Sequence, residues 1–452
     1  MRLRELVRKE IAELAASRAF WLLLLIVGLL TGQSFITAMN AYAEASGIGG
    51  GPAALAQGLS PLDGILTPTL GAYDLAITLL FPFVAIRLIA SEKSSDALKL
   101  MLQWPASIER QIAAKAISLI GAWIASLVPF FIALALWRGY GGHLHAAEVL
   151  NLLAGYTLRF LLTAAIAVAA AALMSGAANA AIVVLAFTIG TWALDFIAAG
   201  RGGIVQTLAS FTPTATLRGF ERGLFRVDVV LVMLILAIFG FALAANWLHL
   251  GRSIKARMAG TAVLLILASL GVINVLMLVR TSFDVSENRR NSFSAADENL
   301  LARLPEALNI TPFLSSEDPR MADFENNVLV KLRRSVPELR VVYPLAGRSG
   351  LFENDAHYGE IVYRLGMKTA TSRSTTEEIV LDTIYELASM RAPVRAPSTY
   401  PGYPLAKRAG GAGWVFYGLW PAMVIGTWRA TRHVKRSAGG PPAVSPPARR
   451  QP

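Results

Sequence analysis

Eight stretches of the chain, at 20–39, 75–90, 116–137, 150–174, 177–198, 229–248, 259–279 and 414–427, are apolar enough to enter a lipid bilayer. Most reach the roughly 20 residues that a helix rising about 1.5 Å per residue needs to cross about 30 Å of hydrocarbon. With 54% hydrophobic and 16% charged residues arranged in blocks, 452 residues cannot hide that surface in one soluble core. The pattern predicts an all-α polytopic membrane protein of about eight transmembrane helices, with a small α/β domain between the seventh and the eighth.

Charge sets the expected orientation. The net charge is +12, and the Lys and Arg residues gather beside the spans, where anionic headgroups rather than nucleic acid account for them. Placing the N-terminus in the cytosol puts Arg2, Arg4, Arg8, Lys9 and Arg18 inside, followed by Lys93, Lys99, Arg110 and Lys115. Arg252, Lys255 and Arg257 come next, then Arg429, Arg432, Lys435 and Arg436. The positive-inside rule then predicts a multi-pass protein of a cytoplasmic membrane with both termini cytosolic. Glu5, Glu10 and Glu13 ahead of the first span are unlike the short basic start of a cleaved signal peptide. The absence of cysteine excludes disulfides, thiolate nucleophiles and Cys-ligated metals.

Composition divides the chain into six parts. Residues 1–19 carry Leu3, Leu6, Val7, Ile11 and Leu14 at helical spacing, the pattern of an amphipathic elbow helix lying on the membrane face. Residues 20–250 hold six spans and 251–279 the seventh. Residues 280–395 turn abruptly mixed and charged, with helices expected at 294–304, 321–335 and 375–388 and strands at 339–343, 359–365 and 368–371. A Pro/Gly-rich link and the eighth span fill 396–436, and 437–452 reads as a disordered cytosolic tail.

Three segments carry candidate function. Between the second and third spans, Leu98, Met101 and Leu102 make a short apolar face that Pro105 ends, and Ser107 can cap the helix beyond. Two short helices there make a docking knob for a soluble partner. Arg159 and Asp195 lie equally far along the chain from Ala177 in the turn between the fourth and fifth spans, so they are expected at one depth as an ion pair. Between 200 and 228, Phe211, Phe220 and other apolar residues interrupted by Thr212-Pro213-Thr214 suggest short helices dipping back into the outer leaflet, sheltered by protein.

Catalytic chemistry is sparse. No Gly-x-x-x-x-Gly-Lys-Ser/Thr run is present, so the chain has no P-loop. His143 and His145 have only Glu148 nearby in sequence, and no metal site is assigned to them. The lone His357 of the 280–395 segment belongs to no catalytic spacing.

The run from Leu80 through Arg87, Glu92 and Lys93 to Trp104-Pro105, together with Phe211-Thr212-Pro213 and Phe220 through Gly223 to Asp228, resembles ABC-2 type transporter permeases of the gliding-motility-associated and copper-enzyme-maturation group. The resemblance covers about residues 1–250. It implies that Glu92, Leu98, Met101, Leu102, Trp104 and Pro105 form the element coupled to a separate ATPase subunit. It further implies that Phe211, Pro213, Phe220 and Gly223 belong to re-entrant outer helices. Six spans would make half a pathway, completed by a second permease copy, identical or a sister. ATP and magnesium would sit in the ATPase, and this chain would bind no cofactor. Asp96-Ala97-Leu98-Lys99 stands where the family usually has Gly-Thr-Leu-Glu. The run from Ser282 to Tyr343, and that from Tyr358 to Leu387, resembles a shortened periplasmic auxiliary subunit of such systems, suited to a partner in the periplasm.

The expected function is therefore an export permease, not an enzyme. Two alternatives stay open: a complex that moves no solute and transmits ATPase strokes to envelope partners, or anchors them, and a membrane-bound enzyme built around polar groups at one depth.

Overall fold

Inside hydrocarbon a chain has no water for its backbone, and a helix closes those bonds within one segment. The computed structural model describes residues 2–48, 58–94, 107–198, 204–249, 251–279, 281–315, 318–345, 357–394 and 400–438. Among them, seven helical segments are long and apolar enough to cross a membrane: Arg18–Gly47, Leu62–Lys93, Ile108–Gly139, Ala146–Leu173, Ala177–Ala198, Val227–Leu248 and Ile254–Leu278. The expected eighth, 414–427, does form helix, in Trp414–Leu419 and Trp420–Ala438, but is not one of the seven. Arg429, Arg432, Lys435 and Arg436 occupy its second half and cut short its apolar run.

Helix α1 (Leu3–Ala16) leads into α2 (Arg18–Ala43), α3 (Thr67–Ser94), α4 (Ile108–Ser126) and α5 (Val128–Gly139). The break between α4 and α5 falls at Leu127, and Pro129 just beyond it has no N–H to continue the ladder. Next come α6 (Ala146–Leu173), α7 (Ala177–Ala198), the short α8 (Ile204–Ala209) and α9 (Pro213–Glu221), α10 (Val227–Leu248) and α11 (Ile254–Leu278). Helix α6 is the most enclosed span, packed by α3, α7, α9 and α10. Its Ala164, Ala165, Ala167 and Ala169 to Ala172 are all buried, and such small side chains let helices approach closely. At the periphery α11 buries no residue and α7 buries only Ala180, Val184, Thr188 and Ala198. Their outward Ile182, Leu185, Ile189, Leu265, Ile266 and Leu267 form apolar surface of the kind a bilayer covers.

The last helix, α16 (Trp420–Ala438), lies along α2 through glycine notches. A Cβ on Gly28 would fall 1.9 Å from Trp420 Nε1, and that nitrogen donates to the Leu24 carbonyl at 3.0 Å. Gly28→Leu is thus expected to lever the helix away at a cost of about 1–3 kcal/mol. Limited proteolysis reads this as faster release of the C-terminal segment; unchanged release would mean that the notch does not hold the helix.

A second core gathers the 280–395 segment. Strand β3 (Leu308–Pro312) pairs in parallel with β4 (Leu339–Val341) and antiparallel with β5 (Ile361–Leu365), which pairs antiparallel with β6 (Lys368–Ser372), giving the order β4-β3-β5-β6. Burial alternates along β3 and β5, so Leu308, Ile310, Ile361 and Tyr363 face one core. Helices α12 (Ala295–Leu301), α13 (Pro319–Phe324), α14 (Val330–Ser335) and α15 (Glu377–Ala388) close it with Leu301, Phe324, Leu332, Val380 and Ile384. Strand β3 was not expected from sequence; Asn309 and the closing Pro312 weaken its pattern.

A two-stranded ribbon fastens this domain to the bundle. Strand β1 (Leu224–Arg226) pairs antiparallel with β2 (Ser282–Asp284). Gly223 before it has φ +78°, a left-handed conformation natural to glycine, and its carbonyl accepts from the Val285 N–H at 2.9 Å. The first and last described helices lie together, since α1 touches α16, while the domain sits at the opposite end of the bundle.

Candidate functional site

At the N-terminal end of the bundle, three separate segments bring charge together. Helix α1 buries every fourth residue, Leu6, Glu10 and Leu14, so its docked stripe carries a glutamate at the centre. Leu3 and Ile11, expected on the same apolar face, are exposed. Glu10 Oε2 accepts from Lys115 Nζ at 2.9 Å, and the same ammonium donates to the Leu88 carbonyl at 3.0 Å. It also lies 2.9 Å from Glu92 Oε2, an ion-pair distance without hydrogen-bond alignment. Lys9 Nζ donates to Glu92 Oε1 at 2.9 Å and lies 3.2 Å from Glu13. Glu10, Glu92 and Lys115 are only 2%, 4% and 2% exposed, so these three are enclosed by protein, while Lys9 and Glu13 at the edge of the cluster stay partly exposed. Burial raises the Glu10 carboxyl above its usual range against the opposing pull of Lys115. Burial works against the Lys9 charge, yet the hydrogen bond and charge of Glu92, helped by Glu10 and Glu13, hold that ammonium above its ordinary value. Glu10, Glu13 and Glu92 converge closely enough to hold a metal ion, but Lys9 and Lys115 already neutralise them.

This geometry corrects one expectation. Glu92 does not face outward towards a soluble partner; it is enclosed and ties α3 to α1 and α4. Nearby, Lys93 Nζ donates to the carbonyls of Ala171, Ala172 and Met174 at 2.7, 2.6 and 3.0 Å, satisfying groups that the end of α6 leaves open. Leu98, Met101, Leu102, Trp104 and Pro105 lie outside the described residues.

The intramembrane pairing is also corrected. Arg159 Nε lies 2.6 Å from Asp74 Oδ1, and its Nε and Nη2 reach Thr78 Oγ1 at 3.4 and 3.3 Å. Its partner is on α3, whereas Asp195 on α7 accepts a hydrogen bond from Thr212. Equal distance from a turn sets depth, but the helical phase of α6 turns this face towards α3. Arg159 Nη1 is buried without a protein partner, beside a cavity of about 20 Å³ lined by Thr78, Thr163, Thr188 and Thr191, room for about one water. Nearby Tyr156 donates to Glu221 at 2.8 Å and Asn151 to the Phe220 carbonyl at 2.7 Å.

The two short helices expected around Pro213 are present. Pro213 opens α9, and Thr212 caps it by accepting from the Ala215 N–H at 3.2 Å. Phe220 is buried in the bundle, and Gly223 makes the turn into β1. Phe211 and Pro213 border an apolar groove of about 510 Å³ between α6, α7 and α10, floored by Leu162, Ile166, Ala170 and Gly240.

At the domain end, polar residues from distant parts of the chain meet. Arg290 pairs with Asp63, donates to the Arg222 carbonyl at 3.0 Å and to the Glu221 carbonyl at 3.2 Å. Tyr42 donates to the Tyr403 carbonyl at 2.7 Å, and the Tyr403 ring stacks on His143 at 3.7 Å between centroids. His143 Nε2 lies 3.0 Å from Glu287 Oε2, and Tyr403 donates to Glu287 Oε1 at 2.6 Å. That hydrogen bond to a carboxylate, with burial second, raises the Tyr403 phenol above its ordinary range. Sequence spacing leaves the histidines with Glu148 alone; Glu287 arrives from 139 residues further on, a distance at which no local motif signals it.

No family model, curated protein or solved structure matches the chain.

Proposed function

We propose that the chain is the permease subunit of an ABC-2 type transporter, exporting a substrate across a bacterial cytoplasmic membrane while a separate ATPase subunit binds and hydrolyses ATP. The observation that carries this reading is the cluster in which the enclosed Glu10, Glu92 and Lys115 meet Lys9 at its edge. It joins the amphipathic α1 to α3 and α4, the two helices that flank residues 95–106. A push on that segment from a soluble motor would reach three helices as one body, the kind of two-state shift by which transporters change access. Both termini would then be cytosolic and the 280–395 domain extracytoplasmic, in keeping with the positive-inside distribution of Lys and Arg. The apolar faces of α7 and α11 would meet lipid and a second permease copy. The short helices α8 and α9 would be the re-entrant elements, with the groove beside Phe211 and Pro213 open to an apolar substrate. Chemistry stays in the partner.

The mechanical reading has one observation in its favour. The domain is fastened to the bundle by β1–β2, Arg290 and Glu287, so a movement of the spans would be transmitted to it.

The test is purification of the tagged full chain from its host in mild detergent, wild type beside Leu98→Glu with Met101→Glu, with mass spectrometry of copurified proteins. Recovery of an ATPase with wild type is expected, falling tenfold or more in the variant at an unchanged size-exclusion profile, about 1.4 kcal/mol of contact. If well-folded wild type brings no ATPase, the permease reading fails. An ATPase stimulated by an envelope protein without movement of any solute would favour the mechanical one.

A further inference from the structure

The junction between the bundle and the 280–395 domain contains a second chemistry, unrelated to ATP coupling. His145 precedes α6, Glu148 lies in its first turn, and Glu287 follows β2; together they offer one ring nitrogen and two carboxylates whose ligand atoms all lie within 4.8 Å of one another. We infer that this triad binds a divalent first-row transition ion, zinc being the ion that the donor set suits best among common ones.

Four observations support the site. Glu148 is 3% exposed, and no cationic side chain among the described residues forms an ion pair with it. A carboxylate withdrawn from water in this way is stabilised by further positive charge, of which Arg290, beyond ion-pair distance, supplies only part. His145 Nδ1 is buried and has no hydrogen-bond partner in the protein, a lone pair or proton left unused. The Glu287 backbone N–H donates to Glu148 Oε1 at 2.8 Å, which fixes the two glutamates relative to each other. The Glu287 carboxylate is itself oriented by His143 and by Tyr403, the kind of outer contact that positions metal ligands.

The donor set decides the class of ion. An imidazole with two carboxylates is unlike the all-oxygen cages of calcium and magnesium and matches the nitrogen and oxygen mixture favoured by zinc and its neighbours. Three protein ligands leave one tetrahedral position open. Ligands about 2.1 Å from a tetrahedral ion lie about 3.4 Å apart, so modest side-chain rotation closes the triad on it. The ion would brace the loop before α6 against the start of the domain.

Tag-free, full-length protein in detergent, stripped with chelator and desalted, is titrated with zinc chloride by calorimetry and with cobalt chloride by visible absorption. One equivalent of zinc is expected with micromolar or tighter affinity, and cobalt is expected to develop the intense bands of a low-coordinate site. His145→Ala and Glu287→Gln are each expected to weaken zinc at least tenfold, whereas His357→Ala, in the exposed part of the domain, leaves it unchanged. Variants are compared at matched size-exclusion profiles. Wild type that takes up no stoichiometric zinc and gives no cobalt bands overturns the inference without recourse to any variant. Uptake that survives both ligand substitutions in folded protein overturns it as well.

Discussion

Lys115→Ala is expected to destabilise the protein by about 3 kcal/mol or more and to release α1 from the bundle. The ammonium is 2% exposed and lies 2.9 Å from both Glu10 and Glu92. Its removal leaves two enclosed carboxylates sharing Lys9, and breaking a buried pair from one side usually costs about 3–5 kcal/mol. Neutralising the carboxylates at the same time removes the cause, so Lys115→Met with Glu10→Gln and Glu92→Gln is expected to lose much less than Lys115→Met alone. The chain has no cysteine, which makes a single reporter clean. Leu14→Cys, at a position 4% exposed against the core, should react slowly with maleimide in the wild-type background and rapidly with Lys115→Ala added. Equal labelling and equal melting in the two backgrounds would show that the cluster does not hold the helix.

What the sequence discloses of this fold is mostly what lipid imposes. Apolar blocks identify the spans because a bilayer tolerates little else, yet their limits shift where polar residues continue a helix inside protein. The second block, 75–90, extends back to Thr67, where Thr69 and Tyr73 are enclosed by protein and Asp74 is paired with Arg159. The block at 414–427 is a weaker signal, since Phe416 and Trp420 fill glycine notches of α2 while Arg429 and the basic residues after it keep this helix less apolar than the other seven. In the domain, β5 and β6 follow from alternation around Gly366, whereas β3 was hidden by Asn309 and Pro312.

The site was less legible, for a physical reason. Local periodicity states which residues share a face of one helix, and the groups that matter here meet across elements. Glu10 looks like an ordinary solvated charge within an amphipathic pattern until Lys115 is brought to it from 105 residues away. Glu92 carries a family resemblance, but nothing in its neighbours indicates that it turns inward. The same holds for Glu287 and the two histidines.

The sharpest separation of the two levels is at Arg159. Arg159→Met is expected to cost about 3–5 kcal/mol, because Asp74 loses the guanidinium 2.6 Å away in a spanning segment where an unpaired carboxylate has no water to turn to. Arg159→Lys is expected to rescue it only in part, since an ammonium on a flexible stem keeps the charge but not the fixed fork that places Nε beside Asp74 while Nη2 reaches Thr78. Pairing Arg159→Met with Asp74→Asn removes both charges and is expected to recover most of the loss. A double-mutant cycle on thermal unfolding in detergent therefore gives a large coupling between 159 and 74. The same cycle between 159 and 195 is expected near zero, because Asp195 is held by Thr212 instead. Coupling to 195 with none to 74 would restore the partner suggested by counting residues from the turn, and would mean that α6 sits rotated from the position that places Arg159 against α3.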